Sequence, residues 1–139
     1  MKNACLLALV GFAAGTLLAR LPLATAVEPF KKEFDAKYIK KDATTDAEKN
    51  LAAAAEKAKC NVCHVGKSKK NRNEYGKALG ALITKKDAKN SEKIQDALDK
   101  VAVMKSNPKD NSSPTFGDLI KEGKLPGGDE PAAGAAAGN

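Results

Sequence analysis

The amino-acid sequence predicts an all-α fold of four or five short helices. Apolar residues recur every three or four positions in successive segments, and this spacing places them on one face of a helix. Residues that commonly cap helices precede several of these segments. No apolar–polar alternation of strand length occurs along the chain. The predicted domain is therefore built from helices that pack through apolar faces.

Two helices are predicted before residue 60. Phe30, Phe34 and Tyr38 are four residues apart, so they share one face of a helix within 28–40. Thr45 and Glu48 have the spacing of a capping box, in which each side chain bonds the other residue's backbone N–H group. Strong helix formers follow, and they predict a helix over 46–59.

Three further helices are predicted in the second half of the chain. Each is marked by apolar residues at helical spacing, and polar segments rich in loop-forming residues separate them. Thr115 and Asp118 have the spacing expected at the start of the last helix. The apolar positions are Tyr75, Leu79, Leu82 and Ile83, then Ile94, Ala97, Leu98, Val101 and Met104, and finally Phe116, Leu119 and Ile120.

The strongest chemical signal is the segment Cys60-Asn61-Val62-Cys63-His64. Its C-x-x-C-H spacing is typical of the covalent attachment of a c-type haem. Cys60 and Cys63 lie about one helical turn apart, so both sulfurs face the same side and each can form a thioether to a porphyrin vinyl group. His64 follows directly, and we expect its ring nitrogen to bind the iron as the proximal ligand.

A C-x-x-C pair can also serve as a redox-active dithiol or as half of a zinc site. A structural zinc site uses four ligands. Beyond the motif the chain offers only Cys5 and no second histidine. A thioredoxin-like dithiol is expected in a βαβ unit, and no strand is predicted here. The dithiol and the zinc site therefore fit the sequence less well than haem attachment.

The motif resembles the haem-attachment site of class I cytochromes c, in which a helix also leads into the C-x-x-C-H segment. The resemblance implies a cytochrome c-like domain whose helices wrap one covalently attached haem c. It implies that Cys60 and Cys63 form the thioethers and that His64 binds iron. A protein of this family carries single electrons between redox partners, turns over no substrate and is not an enzyme.

The distal iron ligand is where the chain departs from that family. The family usually supplies a methionine from a loop that follows an Asn-Pro pair. Asn107 and Pro108 are present, but no methionine follows them. Met104 precedes the pair and is the candidate distal ligand. Core packing would also explain Met104, because it continues the apolar stripe of Val101. The distal position would then be open, bound to water or bound to a lysine amine.

The first 26 residues are predicted to be a secretory signal peptide. Lys2 provides a short positive region, residues 4–19 are an apolar run, and Ala24-Thr25-Ala26 is a small-x-small cleavage pattern. Cleavage after Ala26 predicts an exported, periplasmic protein, in agreement with haem attachment outside the cytoplasmic membrane. A retained N-terminal membrane anchor is the alternative.

The mature chain is predicted to contain a haem domain over 27–125 and a disordered tail rich in alanine and glycine over 126–139. Cleavage removes two basic residues and no acidic one, so the formal net charge falls from +7 to +5. This balance suits redox partner proteins that are acidic or membrane-associated, although a solvated lysine-rich surface also explains it. No nucleic-acid motif occurs. The basic segment 67–73 is a candidate docking surface.

Three functions are compatible with such a haem. A His/Met-ligated iron is closed to small ligands and suits electron transfer. A five-coordinate iron would bind a gas or peroxide, which suits a gas sensor, a gas binder or a weak peroxidase. The third function is that of a haem subunit within a larger redox complex. Electron transfer is the leading prediction, because it needs only an anchored haem with an exposed edge.

Overall fold

The computed structural model describes residues 29–128 and is mostly helical. Helices account for 59% of these residues and extended residues for 9%. None of the described helices is long and apolar enough to cross a membrane. The predicted signal segment lies outside the described residues, as do positions 129–139 of the predicted tail. The α-helices are α1 Pro29–Tyr38, α2 Asp46–Ala58, α3 Glu74–Leu82, α4 Ser91–Ala102 and α5 Phe116–Lys121, and the 3₁₀ turns are Lys59–Val62 and Lys85–Lys89.

A short antiparallel hairpin interrupts the helices, and the expectation of a fold without strands was wrong at this point. It consists of β1 (His64–Val65) and β2 (Ser68–Arg72). Gly66 has a φ of +66° in the connecting turn, a left-handed conformation that glycine adopts readily. Every residue of β2 is exposed. A strand without a buried face has no apolar alternation, so the usual sequence pattern was missing.

Helix α4 is at the centre of the packing, because it contacts α1, α3 and α5. Its buried positions are Ile94, Ala97, Leu98 and Val101, as the apolar spacing predicted. The stripe does not extend to Met104, however. The helix ends at Ala102 and the Met104 residue is 38% exposed, so the interpretation of Met104 as a core residue is wrong.

Aromatic rings connect the helices across the core. The ring centroid of Phe34 lies 5.0 Å from that of Tyr38 and 6.0 Å from that of Tyr75. Tyr75 in turn lies 5.3 Å from Phe116, and both of its contacts have the edge-to-face arrangement that aromatic pairs prefer. Phe34 therefore packs in the core as predicted for its helical face, and the rings join α1, α3 and α5.

The packed region continues past residue 125, where the predicted domain ended. Leu125 is buried, and the side chain of Pro126 is fully buried. At Gly127, a Cβ atom would lie 2.0 Å from Nδ2 of Asn73, the residue that precedes α3. Residues at the start of the predicted tail thus belong to the folded domain, because the chain returns to pack beside α3.

Two glycines of α3 allow close contacts of different kinds. A Cβ atom at Gly76 would lie 1.9 Å from the backbone oxygen of Cys63. At Gly80 the corresponding distance is 1.8 Å, but the atom approached is Nη1 at the end of the Arg72 side chain. The backbone at Cys63 cannot move without displacing the whole turn, whereas the Arg72 side chain can rotate away.

We therefore expect opposite results from Gly76→Ala and Gly80→Ala, a matched pair within one helix. Gly76→Ala should lower the free energy of unfolding by about 1–3 kcal/mol, the usual cost of overpacking. Gly80→Ala should be neutral or stabilising by up to about 1 kcal/mol, because alanine favours the helix over glycine. Denaturant unfolding of both variants measures the difference. Equal changes in the free energy of unfolding would contradict the close approach of Gly76 to the backbone of Cys63.

The hydroxyl group of Tyr75 is buried, and among the described residues it has no hydrogen-bond partner. Burial raises the pKa of Tyr75 well above its ordinary value, and the nearby Cys63 and Tyr38 raise it further. An unpaired buried hydroxyl costs free energy that its removal recovers. Tyr75→Phe keeps the ring contacts and should raise the free energy of unfolding by about 1 kcal/mol. Chemical denaturation tests this, and a clear loss of stability would mean that the hydroxyl has a partner.

Candidate haem site

The C-x-x-C-H motif lies on a tight turn directly after α2. The chain changes direction at Lys59, whose φ of +51° and ψ of −114° are unusual for a residue other than glycine. The 3₁₀ turn Lys59–Val62 follows, and the backbone N–H group of Cys63 donates to the backbone oxygen of Cys60 at 3.2 Å. The structure therefore confirms that one helical turn separates the two cysteines, with Cys60 exposed and Cys63 half-buried.

Asn73 ties this turn to the start of α3. Its backbone N–H group donates to the backbone oxygen of Cys63 at 3.2 Å. Its side-chain amide nitrogen donates to the backbone oxygens of Asn61 and Val62, at 3.3 and 3.1 Å. Its side-chain oxygen accepts from the backbone N–H group of Gly76 at 2.8 Å and so caps the helix. One side chain thereby fixes both the motif and the helix packed against it.

Asn73 was not predicted from the sequence to be a residue of the site. It ends a polar, basic stretch, and the only available signal was its position directly before a helical face. Asparagine in that position indicates an N-cap. Its bonds to the motif depend on the folded approach of residues that are 11 and 12 positions apart, and no local pattern shows such an approach.

The ring of His64 is held by a backbone hydrogen bond. Nδ1 of His64 lies 3.2 Å from the backbone oxygen of Asn71 on the facing strand. Because a carbonyl oxygen only accepts, this contact selects the tautomer in which Nδ1 carries the proton. The lone pair is then on Nε2. Metal-binding histidines commonly have this arrangement, with one ring nitrogen donating to a carbonyl and the other facing the metal.

Cys60, Cys63 and His64 line one cavity of about 260 Å³. Its apolar wall includes Phe30 of α1 together with Leu79 and Ile83. The volume is just below the range of roughly 300–1,000 Å³ typical of ligand pockets. A porphyrin anchored to the cysteines would therefore keep part of its edge outside the cavity. The structure brings three of the predicted site residues together around one partly apolar space.

The surroundings of Cys63 disfavour ionisation of its thiol. Burial raises the pKa of Cys63 to about 12, and the positive charges of Lys31 and Arg72 oppose this shift only in part. Thiol–disulfide exchange proceeds through the thiolate, so the attacking cysteine of a dithiol needs a lowered pKa. The environment of Cys63 therefore disfavours this residue as an attacking thiol. A thioether has no ionisable proton, and its burial carries no such penalty.

The donor set also fits haem better than a bare metal ion. Within residues 29–128, no three His, Cys, Asp or Glu side chains are arranged to hold such an ion. Haem attachment needs only two thiols and one imidazole, together with an apolar wall for the ring. All of these line the cavity, and basic side chains at the same cavity suit the two propionate groups of a haem.

Met104, the candidate distal ligand, lies elsewhere. It lines a second, shallow cleft together with Glu74, Lys77, Ala78, Lys105, Pro108 and Phe116. Among the described residues, this cleft shares no lining residue with the cavity of Cys60, Cys63 and His64. The structure does not bring Met104 to the other three predicted site residues. Pro108 of the Asn107-Pro108 pair lines the second cleft as well.

No family model, curated protein or solved structure matches this chain.

Proposed function

We propose that this chain is an exported monohaem c-type cytochrome that carries single electrons between redox partners. One observation supports the proposal above the others. Cys60, Cys63 and His64 line the same partly apolar cavity, and the contact with Asn71 leaves Nε2 of His64 available for a metal. Two thiols and an imidazole in this order are the attachment groups of a covalent haem.

In this proposal each part of the site has a separate role. Cys60 and Cys63 hold the haem covalently, and His64 supplies the proximal nitrogen. Asn73 keeps the two cysteines in one turn through its bonds to the backbone between them. Leu79 and Ile83 exclude water from the ring. A bound haem supplies an iron that accepts and releases one electron, and the partly open cavity leaves an edge from which a partner can receive it.

Location and partners follow from the same proposal. The segment 1–26 would direct export, with cleavage after Ala26, and the haem would be attached in the periplasm. The cavity is surrounded by basic side chains, which suit an acidic redox partner or an anionic membrane surface. No substrate conversion is part of this function, so we do not propose an enzyme.

The position of Met104 favours a second candidate function. If Met104 stays at its separate cleft, a bound iron would have no methionine ligand, and its distal position would be open, bound to water or bound to a lysine amine. A five-coordinate haem binds small molecules, as in gas sensors, gas binders and weak peroxidases. Electron transfer needs no such ligand and remains compatible with either coordination state.

Covalent attachment is the first test. The exported protein should have the mass of residues 27–139 plus one haem, and the haem should stay on the polypeptide through acid–organic extraction. Cys60→Ser and Cys63→Ser should each leave a single thioether, and the double variant should release its haem. Voltammetry of the wild type should show one reversible one-electron wave. A protein that loses its haem on extraction, or that carries zinc, would refute the proposal.

A second test concerns Met104→Ala. Because Met104 is 38% exposed and lines another cleft, its truncation should leave the haem spectrum and reduction potential unchanged. The free energy of unfolding should fall by less than the about 2–5 kcal/mol typical of a buried methionine. Carbon monoxide should bind the reduced wild type as readily as the variant.

His64→Ala is the control for Met104→Ala, since loss of the proximal nitrogen must change the spectrum. Met104 would be the distal ligand after all if Met104→Ala removed a far-red sulfur-to-iron band and lowered the potential.

A further inference from the structure

The charge around the cavity is of one sign. Of the fifteen described residues that line it, none carries a carboxylate. Cationic side chains come from α1, the motif turn, β2 and the segment after α3. They are Lys31, Lys59, Lys69, Lys70, Arg72 and Lys85. A concave site lined by one sign of charge concentrates ions of the opposite sign.

Part of this charge is balanced. Nζ of Lys31 lies 2.5 Å from a carboxylate oxygen of Asp35, a residue outside the cavity lining. The two propionates of a bound haem would offset two more positive charges. Lys69 has an interaction partner of its own and is left out of the balance together with Lys31. The four other cations of the described lining outnumber the two propionates, so a positive excess remains. Charges near a partly enclosed surface interact more strongly than charges in bulk water.

The distal position also lacks the side chains that commonly close an iron. The chain has a single histidine, which is His64 itself. Met104 lines the other cleft. Among the described residues that line the cavity, none offers a thioether or a second imidazole.

We propose that the haem-loaded cavity is a binding site for small inorganic anions, which bind the ferric iron at the distal position and are favoured by the surrounding cations. The inference rests on the proposed haem function and adds a class of ligand to it. Azide is a suitable anionic ligand, and imidazole is a neutral ligand for the same iron. The cations attract the azide anion and have little effect on the neutral imidazole.

The experiment is a titration of the ferric, haem-loaded protein with azide and, separately, with imidazole, followed by the Soret absorption. Azide affinity should fall on the order of tenfold between low salt and about 0.5 M salt, because salt screens the surrounding charges. Imidazole affinity should change less than about twofold under the same conditions. Equal salt dependence for the two ligands would overturn the role of the cations.

Variants that remove one positive charge test how much individual residues contribute to azide binding. Arg72→Gln and Lys85→Gln should each weaken azide binding by about two- to fivefold, and imidazole binding should change less than azide binding in both variants. Lys49→Gln is the matched control, because Lys49 is exposed on α2 and does not line the cavity. Its azide affinity should equal that of the wild type. Unchanged azide binding in Arg72→Gln and Lys85→Gln would refute the proposal.

Two failures can be told apart. A haem-loaded protein with a low-spin ferric spectrum that rejects both azide and imidazole would have a closed distal position, and this result would overturn the anion site alone. A polypeptide without covalently bound haem would overturn the proposed function together with this inference. Mass spectrometry of each preparation before titration distinguishes the two.

Discussion

The contact between the motif turn and the start of α3 positions the rest of the site. The backbone oxygen of Cys63 accepts a hydrogen bond from Asn73 and leaves no room for a Cβ atom at Gly76. Asn73 bonds the two residues between the cysteines with its side chain. The cysteines, the hairpin that carries His64 and the first turn of α3 therefore form one connected unit. A displacement of any one of these parts would break several of the hydrogen bonds that connect it to the other parts.

This unit joins the hydrophobic core through α3. Leu79 and Ile83 belong to the buried apolar cluster and also line the cavity. At the start of the same helix, Tyr75 packs against Phe34 and Phe116. The protein's own side chains complete this aromatic core. The structure thus places a helical core beside the candidate haem site, and a haem would extend that core at Leu79 and Ile83.

The sequence predicted those features that have a local period or a fixed spacing. The helices were predictable because their buried faces recur every three or four residues, as Ile94, Leu98 and Val101 show. The haem-attachment motif stays a prediction, and it rests on the fixed spacing of Cys60, Cys63 and His64. The strand β2 was missed because every residue in it is exposed. The role of Asn73 was missed because its partners belong to another segment and meet it only in the folded chain.

Met104 shows that an apolar pattern at helical spacing predicts burial only as far as the helix continues. Its spacing from Val101 continues the stripe, but α4 ends at Ala102, and beyond the helix the spacing no longer fixes a direction. The backbone of Met104 instead bonds neighbouring segments, accepting from the N–H group of Phe116 at 3.0 Å. The residue contributes its main chain to the fold, while its thioether lies at the second cleft. Among the described residues, six cations and no methionine line the cavity of His64.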